Sequence, residues 1–416
     1  MKKIYTYIRN QIKQYLKIDI HYLAKSGFWL TLKQLVISIT SFLLTIALAN
    51  VLTPDEYGLF RYILAAVSIL ILTSLPGMST ALQQTVAQGN DKTIVSIIKT
   101  RLYWGSIGAI LCLALSGFYY IQQNISIASI YLALTPILLV LSPFSSFDDY
   151  LIGKKKFQLS TMLTTIGIVG QMLFLLSILY VTHNINVVIL SYFLFTAAFR
   201  FFSYSYVKKR FTEDIRQSVS DTESITYGKH LSAMNILPTI GKHIDKIIIF
   251  HYFSAAELAI YSFAIAPVEY ISSFLVNINT ALLPKLTTKK NTDIQKNKYR
   301  HMILLGICIV PIVIIYMIST PYIFHTIFPG YSAAIVLSQI YAIILLTYIS
   351  IIPATFLEAK KQIKKLYYLR TVIPIITIVL LFCSIPYGIL GIICGKIIIQ
   401  VIRLGYLLYL TKHSES

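Results

Sequence analysis

The chain has 416 residues, of which 56% are hydrophobic and only 12% charged, and it carries a formal net charge of +20. Soluble domains contain about 25% charged residues, so this composition excludes an ordinary water-soluble enzyme, and its high apolar content excludes a disordered chain. Four cysteines without a metal-ligand spacing exclude a disulfide scaffold and predict no metal site.

Twelve apolar blocks of about 20 residues, the length that a bilayer-crossing helix needs, follow one another along the chain. They predict an all-α integral membrane protein with twelve transmembrane helices. The predicted spans are 28–51, 59–83, 102–122, 127–150, 159–182, 186–206, 231–252, 256–281, 302–324, 333–357, 366–385 and 387–410.

Lysine and arginine occur only in alternate loops of this layout. The loops without them lie near 52–58, 123–126, 183–185, 253–255, 325–332 and 386. Because positive charge collects in cytoplasmic loops, both termini are predicted to be cytoplasmic and the number of spans even. Basic residues spread in this way also argue against nucleic acid as a partner, which would require one basic stripe.

The loop lengths divide the chain into two groups of six helices. Residues 1–27 are basic and place Ile4, Ile8, Ile12 and Leu16 four apart, which fits a helix on the membrane surface or an ordinary solvated tail. The rest is predicted as a six-helix bundle at 28–206, a central cytoplasmic loop at 207–230, a second bundle at 231–411 and a tail at 412–416.

The two halves resemble each other weakly at their first external loop, where Leu52–Phe60 can be laid on Phe253–Tyr261. Six spans per half give both halves the same orientation, which predicts parallel repeats about an axis along the membrane normal. Transporters commonly place the substrate where such repeats meet.

Three short segments carry a family resemblance. Gly27–Leu30 opens the first predicted span, Thr53–Phe60 with its central Glu-Tyr-Gly joins the first two spans, and Gly77–Leu82 ends the second. This run resembles the N-terminal signature of polysaccharide transporters in the MOP superfamily, the Wzx-type flippases of O-antigen and capsule repeat units. The motif covers about 60 residues, and the twelve-span layout matches over the whole chain.

The resemblance implies a MATE-like, V-shaped pair of six-helix bundles around a cationic central cavity. It also implies that an undecaprenyl-diphosphate-linked oligosaccharide is moved from the cytoplasmic to the outer leaflet of the bacterial cytoplasmic membrane. Besides this substrate and membrane lipids, the polysaccharide polymerase and the chain-length regulator are the partners that it suggests. The protein is expected to act as a monomer, because two halves already form a transport path.

Charged residues within the spans indicate where a substrate could bind. Lys242, His243, Asp245 and Lys246 lie near the middle of the seventh span, where three charges facing lipid would cost about 8–10 kcal/mol. Asp245 could neutralise the lysines in an internal ion pair, but one positive charge remains, which favours a water-filled cationic cavity.

Other spans add further basic residues to the candidate substrate site. Lys396 and Arg403 lie seven residues apart on the twelfth span, and Arg403 is close enough to the cytoplasmic end to snorkel. Lys33 on the first span and Arg200 on the sixth are nearer the cytoplasmic ends. Lysine and arginine suit a lipid diphosphate because they donate charge-assisted hydrogen bonds to phosphate oxygens.

Acidic residues are the candidates for ion coupling. Glu269 lies in the eighth span two residues after Pro267, and Asp245 is the second candidate. Such a carboxylate could be protonated, paired with a lysine, or a site for H⁺ or Na⁺. No other cofactor is predicted.

The sequence predicts a flippase that works by alternating access and not an enzyme. It has no P-loop, HExxH, GxGxxG or GxSxG motif, so ATP-driven transport by this chain alone is not expected. An O-antigen polymerase or ligase would need a large basic external loop, and every predicted external loop is short and lacks lysine and arginine. A MATE-like antiporter for drugs or cations should line its cavity with carboxylates. An exporter of another lipid-linked precursor stays open as an alternative.

Overall fold

The computed structural model describes residues 20–182, 184–287, 291–359 and 363–412. These residues form α-helices and short 3-10 helices and contain no strand, which confirms the predicted all-α class. In hydrocarbon, no water is present to satisfy backbone amides, and a helix satisfies them within one segment. The predicted surface helix of the first 19 residues and nearly all of the predicted tail lie outside the described residues.

The α-helices are numbered here in chain order. The first nine are α1 Ile20–Val51, α2 Pro54–Leu70, α3 Met78–Ala87, α4 Thr93–Ile121, α5 Ile125–Leu141, α6 Ser146–Gly153, α7 Phe157–Val181, α8 Ile185–Arg210 and α9 Thr212–Gln217. The others are α10 Glu223–Tyr252, α11 Ala255–Thr287, α12 Asn291–Ile327, α13 Ala334–Ala342, α14 Ile351–Ala359, α15 Ile363–Cys383 and α16 Gly388–Lys412.

The helices account for all twelve predicted spans. Within the described ranges, nine helical stretches are long and apolar enough to cross a membrane. The seventh and eighth predicted spans are the helices α10 and α11. The eleventh is α15, whose apolar part, Tyr367–Cys383, is shorter.

Three of the predicted spans are not continuous α-helices. In the second span, Leu75 adopts a left-handed conformation (φ 56°), and Pro76 follows it, which has no amide hydrogen to continue the helix. In the fourth span, α5 ends at Leu141 and a 3-10 turn, Pro143–Ser145, leads into α6. In the tenth span, a 3-10 helix of eight residues, Ile343–Ser350, joins α13 to α14.

The described residues group into two compact units. Unit 1 contains the chain up to Leu44 together with Leu70–Ala233, and unit 2 contains Thr45–Ile69 together with the chain from Met234 onward. The second helix and the end of the first therefore pack in unit 2, whereas the first turns of α10 pack in unit 1. The predicted bundles, 28–206 and 231–411, stay a prediction.

In unit 2, the two repeated segments start helices α2 and α11 with the same capping pattern. Thr53 and Glu56 form a capping box, in which the Glu56 carboxylate accepts hydrogen bonds from the Thr53 amide and hydroxyl, each at 2.9 Å. The Thr53 hydroxyl in turn accepts from the Glu56 amide at 3.4 Å, and at the equivalent position the Ser254 hydroxyl accepts from the Glu257 amide at 3.1 Å. The weak sequence repeat thus has a physical basis in helix capping.

In unit 1, the segment that precedes α10 is fastened to the start of α4. The Ser218 hydroxyl accepts from the Lys92 amide at 2.7 Å, and the Asp221 amide donates to the Thr93 hydroxyl at 3.0 Å. A hydrogen bond from the Ser224 hydroxyl lowers the pKa of the Asp221 carboxyl. This carboxylate also accepts from the first amides of α10 and so caps that helix.

A loop lysine ties three segments of unit 1 together. The Lys154 ammonium lies 2.7 Å from Asp91 and 2.9 Å from Asp214. Burial alone would lower the pKa of Lys154, but the two carboxylates outweigh it and raise that pKa. The loop after α6 is therefore held to the α3–α4 loop and to α9.

Candidate functional site

The centre of unit 2 contains a buried aspartate that bridges three helices. Asp245 on α10 is fully buried. Its carboxylate lies 2.7 Å from the ammonium of Lys396 on α16 and accepts a hydrogen bond from the hydroxyl of Tyr261 on α11. Polar groups at this depth are stable only when they are paired, so Asp245 links the three helices through its partners.

Two aromatic rings enclose the Lys396 ammonium. It lies 5.6 Å from the ring centre of Tyr261 and 5.5 Å from that of Tyr341 on α13, within the range of cation–π attraction. It also donates to the Tyr261 hydroxyl at 3.1 Å. Lys396 is thus surrounded by one carboxylate and two rings that all favour its charged form.

Further charges surround this pair. Lys246 is buried next to Asp245, with 3.9 Å between its ammonium and the carboxylate. Glu269 on α11 interacts electrostatically with Lys246, Lys396 and Arg61, which lies on α2. The cluster therefore contains three cations and two carboxylates, an excess of one positive charge.

Lys242 differs from the other lysines of the cluster. It lies one turn before Lys246 on α10, and its side chain is exposed. Among the residues that the structure describes, its ammonium has no hydrogen-bond or ion-pair partner. The sequence alone leaves open whether Asp245 neutralises Lys242 and Lys246. In the structure, the cation closest to Asp245 is Lys396.

Two other predicted site residues belong to unit 1. The Lys33 ammonium lies 2.5 Å from Asp148, which also accepts a hydrogen bond from Ser160 at 2.6 Å. Arg200 donates to the carbonyl oxygen of Leu141 at 2.6 Å. This carbonyl is the last of α5 and is free because the following 3-10 turn redirects the amide of Ser145 to the carbonyl of Ser142.

A buried arginine that the sequence analysis did not single out lies in the same unit. Arg101 on α4 is 1% exposed and donates to Ser146 at 2.6 Å and to Ser79 at 2.8 Å. Asp149 lies 3.8 Å from its guanidinium and accepts from Gln83 at 3.0 Å. Asp149 is therefore the partner of a buried cation, and Asp148 that of the half-buried Lys33.

Replacement of Arg101 by lysine is expected to destabilise the protein. Lysine carries one nitrogen where arginine has a planar fork, so it cannot reach both serine hydroxyls, and loss of a hydrogen bond to a charged group costs about 1.5–3 kcal/mol. Thermal melting of the purified protein in detergent measures the effect. The exposed Lys99→Arg on the same helix is the control, and equal melting of both variants would contradict the assignment.

Arg403, also a predicted substrate-site residue, lies on α16 but outside the Asp245 cluster. It is half-buried and lies seven residues after Lys396, about 10 Å further along the helix axis. The structure thus gathers Lys246, Lys396, Asp245 and Glu269 in one cluster of unit 2, with Lys242 one turn away.

Helices of bilayer length with charged clusters in their interior define a multi-pass membrane protein. The family model described as "Polysaccharide biosynthesis protein" matches residues 23–290, well over half of the chain. The chain belongs to this family, which confirms the polysaccharide-transport family predicted from the sequence. No curated protein sequence matches the chain.

Solved structures of MATE transporters share the fold. MATE in complex with MaD5 has a TM-score of 0.65 and 9% sequence identity, and the match covers 94% of this chain and 95% of that chain. The inward-facing conformation of a multidrug resistance MATE family transporter has a TM-score of 0.64 at 11% identity, with 91% and 95% covered. A mutant of the Vibrio cholerae MATE transporter VcmN has a TM-score of 0.59 at 12% identity, with 95% and 96% covered. The chain therefore has the fold that these MATE structures share.

Proposed function

We propose that the protein is a flippase that moves an undecaprenyl-diphosphate-linked oligosaccharide across the bacterial cytoplasmic membrane by alternating access. The main support is the excess of positive charge in the interior of unit 2, in a chain of the polysaccharide biosynthesis family. A lipid diphosphate brings about two negative charges into the membrane, and lysine ammonium groups are suitable donors for its oxygens.

The balance of charge in the cluster also separates this proposal from a cation antiporter. Lys246, Lys396 and Arg61 outnumber Asp245 and Glu269, and exposed Lys242 adds another positive charge. A site for a cationic drug needs the opposite excess. Repeat units of O-antigen or capsule are the proposed cargo, and other lipid-linked precursors remain the alternative within the same chemistry.

Glu269 is the better candidate for coupling transport to H⁺ or Na⁺. Asp245 is fully buried and held by Lys396 and Tyr261, so binding an ion there would require these contacts to break. Within the described ranges, the Glu269 carboxylate accepts no hydrogen bond. It can therefore take up an ion with less rearrangement.

The proposal includes an orientation and partners. Both termini and the loops rich in lysine and arginine are placed on the cytoplasmic side, following the positive-inside rule. The polysaccharide polymerase and the chain-length regulator are the proposed protein partners, because they would receive the translocated unit. The flippase itself acts as a monomer.

Lys242→Ala is expected to reduce surface polysaccharide about tenfold, the effect of losing about 1.4 kcal/mol from one charge-assisted contact. The protein should reach the membrane at normal levels, and lipid-linked repeat units should accumulate inside the cell. Lys242→Arg keeps the charge and should retain export, and Lys99→Ala, at an exposed position of α4, is the matched control.

Deletion of the gene tests the function itself. Loss of surface polysaccharide with single units trapped on the inner leaflet supports the flippase. If single units still reach the outer leaflet and only their polymerisation stops, the flippase proposal fails and a membrane polymerase or ligase replaces it.

A further inference from the structure

The three lysines Lys242, Lys246 and Lys396 are not equivalent, although the sequence predicts all three as substrate-binding residues. Lys396 has a carboxylate at 2.7 Å, a tyrosine hydroxyl at 3.1 Å and two aromatic rings within 5.6 Å. Lys246 is buried against Asp245 and interacts with Glu269. Lys242 is exposed and has neither a carboxylate nor a hydroxyl partner among the described residues.

Tyr261 contacts both members of the Asp245–Lys396 ion pair. Its hydroxyl donates to Asp245 and accepts from Lys396, and the lysine ammonium also lies near its ring. Tyr261 is fully buried on α11, whereas Lys396 comes from α16 and Asp245 from α10. A single side chain therefore fixes both the carboxylate and the ammonium.

Tyr341 contributes its ring from another direction. It lies near the end of α13, is 4% exposed, and places its ring centre 5.5 Å from the Lys396 ammonium. Among the described residues, its hydroxyl has no hydrogen-bond partner, so the ring alone accounts for the contact. Phenylalanine would preserve this contact and leucine would remove it.

We propose that Tyr261 and Tyr341 are positioning residues that keep Lys396 on Asp245, and thereby leave Lys242 as the lysine available to an anionic headgroup. The assignment of Lys242 rests on the proposed function, whereas the enclosure of Lys396 does not. An ammonium held by a carboxylate and two rings has its charge already balanced. An exposed ammonium on the neighbouring turn can still attract a diphosphate.

Lysine reactivity tests the proposal without any transport assay. The purified protein is treated with a limiting amount of a small acylating reagent, which attacks only uncharged amines, and mass spectrometry gives the rate at each lysine. Lys242 is expected to react about tenfold faster than Lys396, because a carboxylate and two rings stabilise the ammonium form of Lys396.

The variants separate the contribution of the ring from that of the hydroxyl. Tyr341→Leu should raise the rate at Lys396 about fivefold, and Tyr341→Phe should leave it unchanged. Tyr261→Phe, which removes one oxygen and keeps the ring, should also raise the rate and serves as the test if Tyr341→Leu does not fold. Equal rates for Lys396 and Lys242 in the unmodified protein, or equal effects of leucine and phenylalanine at 341, would overturn the proposal.

Farnesyl diphosphate serves as the probe for the anionic headgroup. It should slow acylation at Lys242 and leave Lys396 unchanged. Protection of Lys396, or of neither lysine, overturns the assignment of Lys242. The protein could show the expected lysine rates and protection and yet move no lipid-linked units in cells. The site proposed here would then stand and the flippase proposal would fail, so the two failures are distinguishable.

Discussion

Asp245→Ala is expected to destabilise the protein by about 3–5 kcal/mol, because removal of one partner of a buried ion pair leaves an uncompensated charge. Lys396 and Lys246 would then remain in the interior of unit 2 without the carboxylate that contacts both of them. The measured result should be a large fall in melting temperature in detergent and little protein in the membrane.

A second substitution tests whether the loss of stability comes from the Asp245–Lys396 ion pair. Asp245→Ala combined with Lys396→Met removes both charges and replaces the lysine by an apolar side chain of similar length. Apolar replacements of whole buried pairs are often neutral, so the double variant should recover most of the lost stability. Melting of Asp245→Ala at the wild-type temperature, or a double variant less stable than Asp245→Ala, would show that the pair does not hold these helices.

Gly58→Ala should have the second largest effect on stability. Gly58 lies in the first turn of α2, against the start of α11, and a Cβ atom there would overlap the carbonyl oxygen of Ala255. The obstacle is backbone, which cannot rotate away as a side chain can, so the substitution is expected to cost about 3 kcal/mol or more.

Gly117→Ala provides the matched control for this prediction. Gly117 lies within α4, and a Cβ there would meet no atom within 4 Å. Alanine is favoured over glycine inside a helix by about 1 kcal/mol, so this variant should melt at the wild-type temperature or slightly above it. If Gly58→Ala behaved in the same way, the close approach of α2 and α11 would be refuted.

The helical spans could be predicted from the sequence because bilayer thickness imposes one length on every span. The interruptions within them could not be placed in the same way, since they depend on a few backbone angles. Leu75 and Pro143 carry a local proline signal. The 3-10 helix Ile343–Ser350 has no proline or glycine to mark it, and only the tertiary structure reveals it.

The candidate site was predictable as a set of charged residues but not as a set of pairs. Asp245 and Lys396 are 151 residues apart, and Lys33 and Asp148 are 115 apart. Helical spacing relates Asp245 to Lys242, three residues earlier, and Lys242 to Lys246, four residues later. Partners on other helices depend on how the helices pack, which a single sequence does not specify.

The tyrosines were missed for a different reason. Tyr261 and Tyr341 are two of 30 tyrosines in the chain, and nothing in the residues beside them distinguishes them. One indirect signal existed for Tyr261: it ends the repeated segment Phe253–Tyr261, opposite Phe60 of the first copy. Both copies of the segment therefore end in an aromatic ring, but only Tyr261 carries the hydroxyl that contacts Asp245.

The rotation per residue in the 3-10 helix Ile343–Ser350 determines which side of α14 is buried. An α-helix turns by about 100° per residue and a 3-10 helix by about 120°, so over these eight residues the difference accumulates to about 160°. Leu357, beyond this segment, packs with Leu407 and Leu410 of α16. A helical wheel drawn from Ala334 with a constant angle would place Leu357 on nearly the opposite side. The buried face of α14 is thus determined by the winding of the residues before it as well as by its own composition.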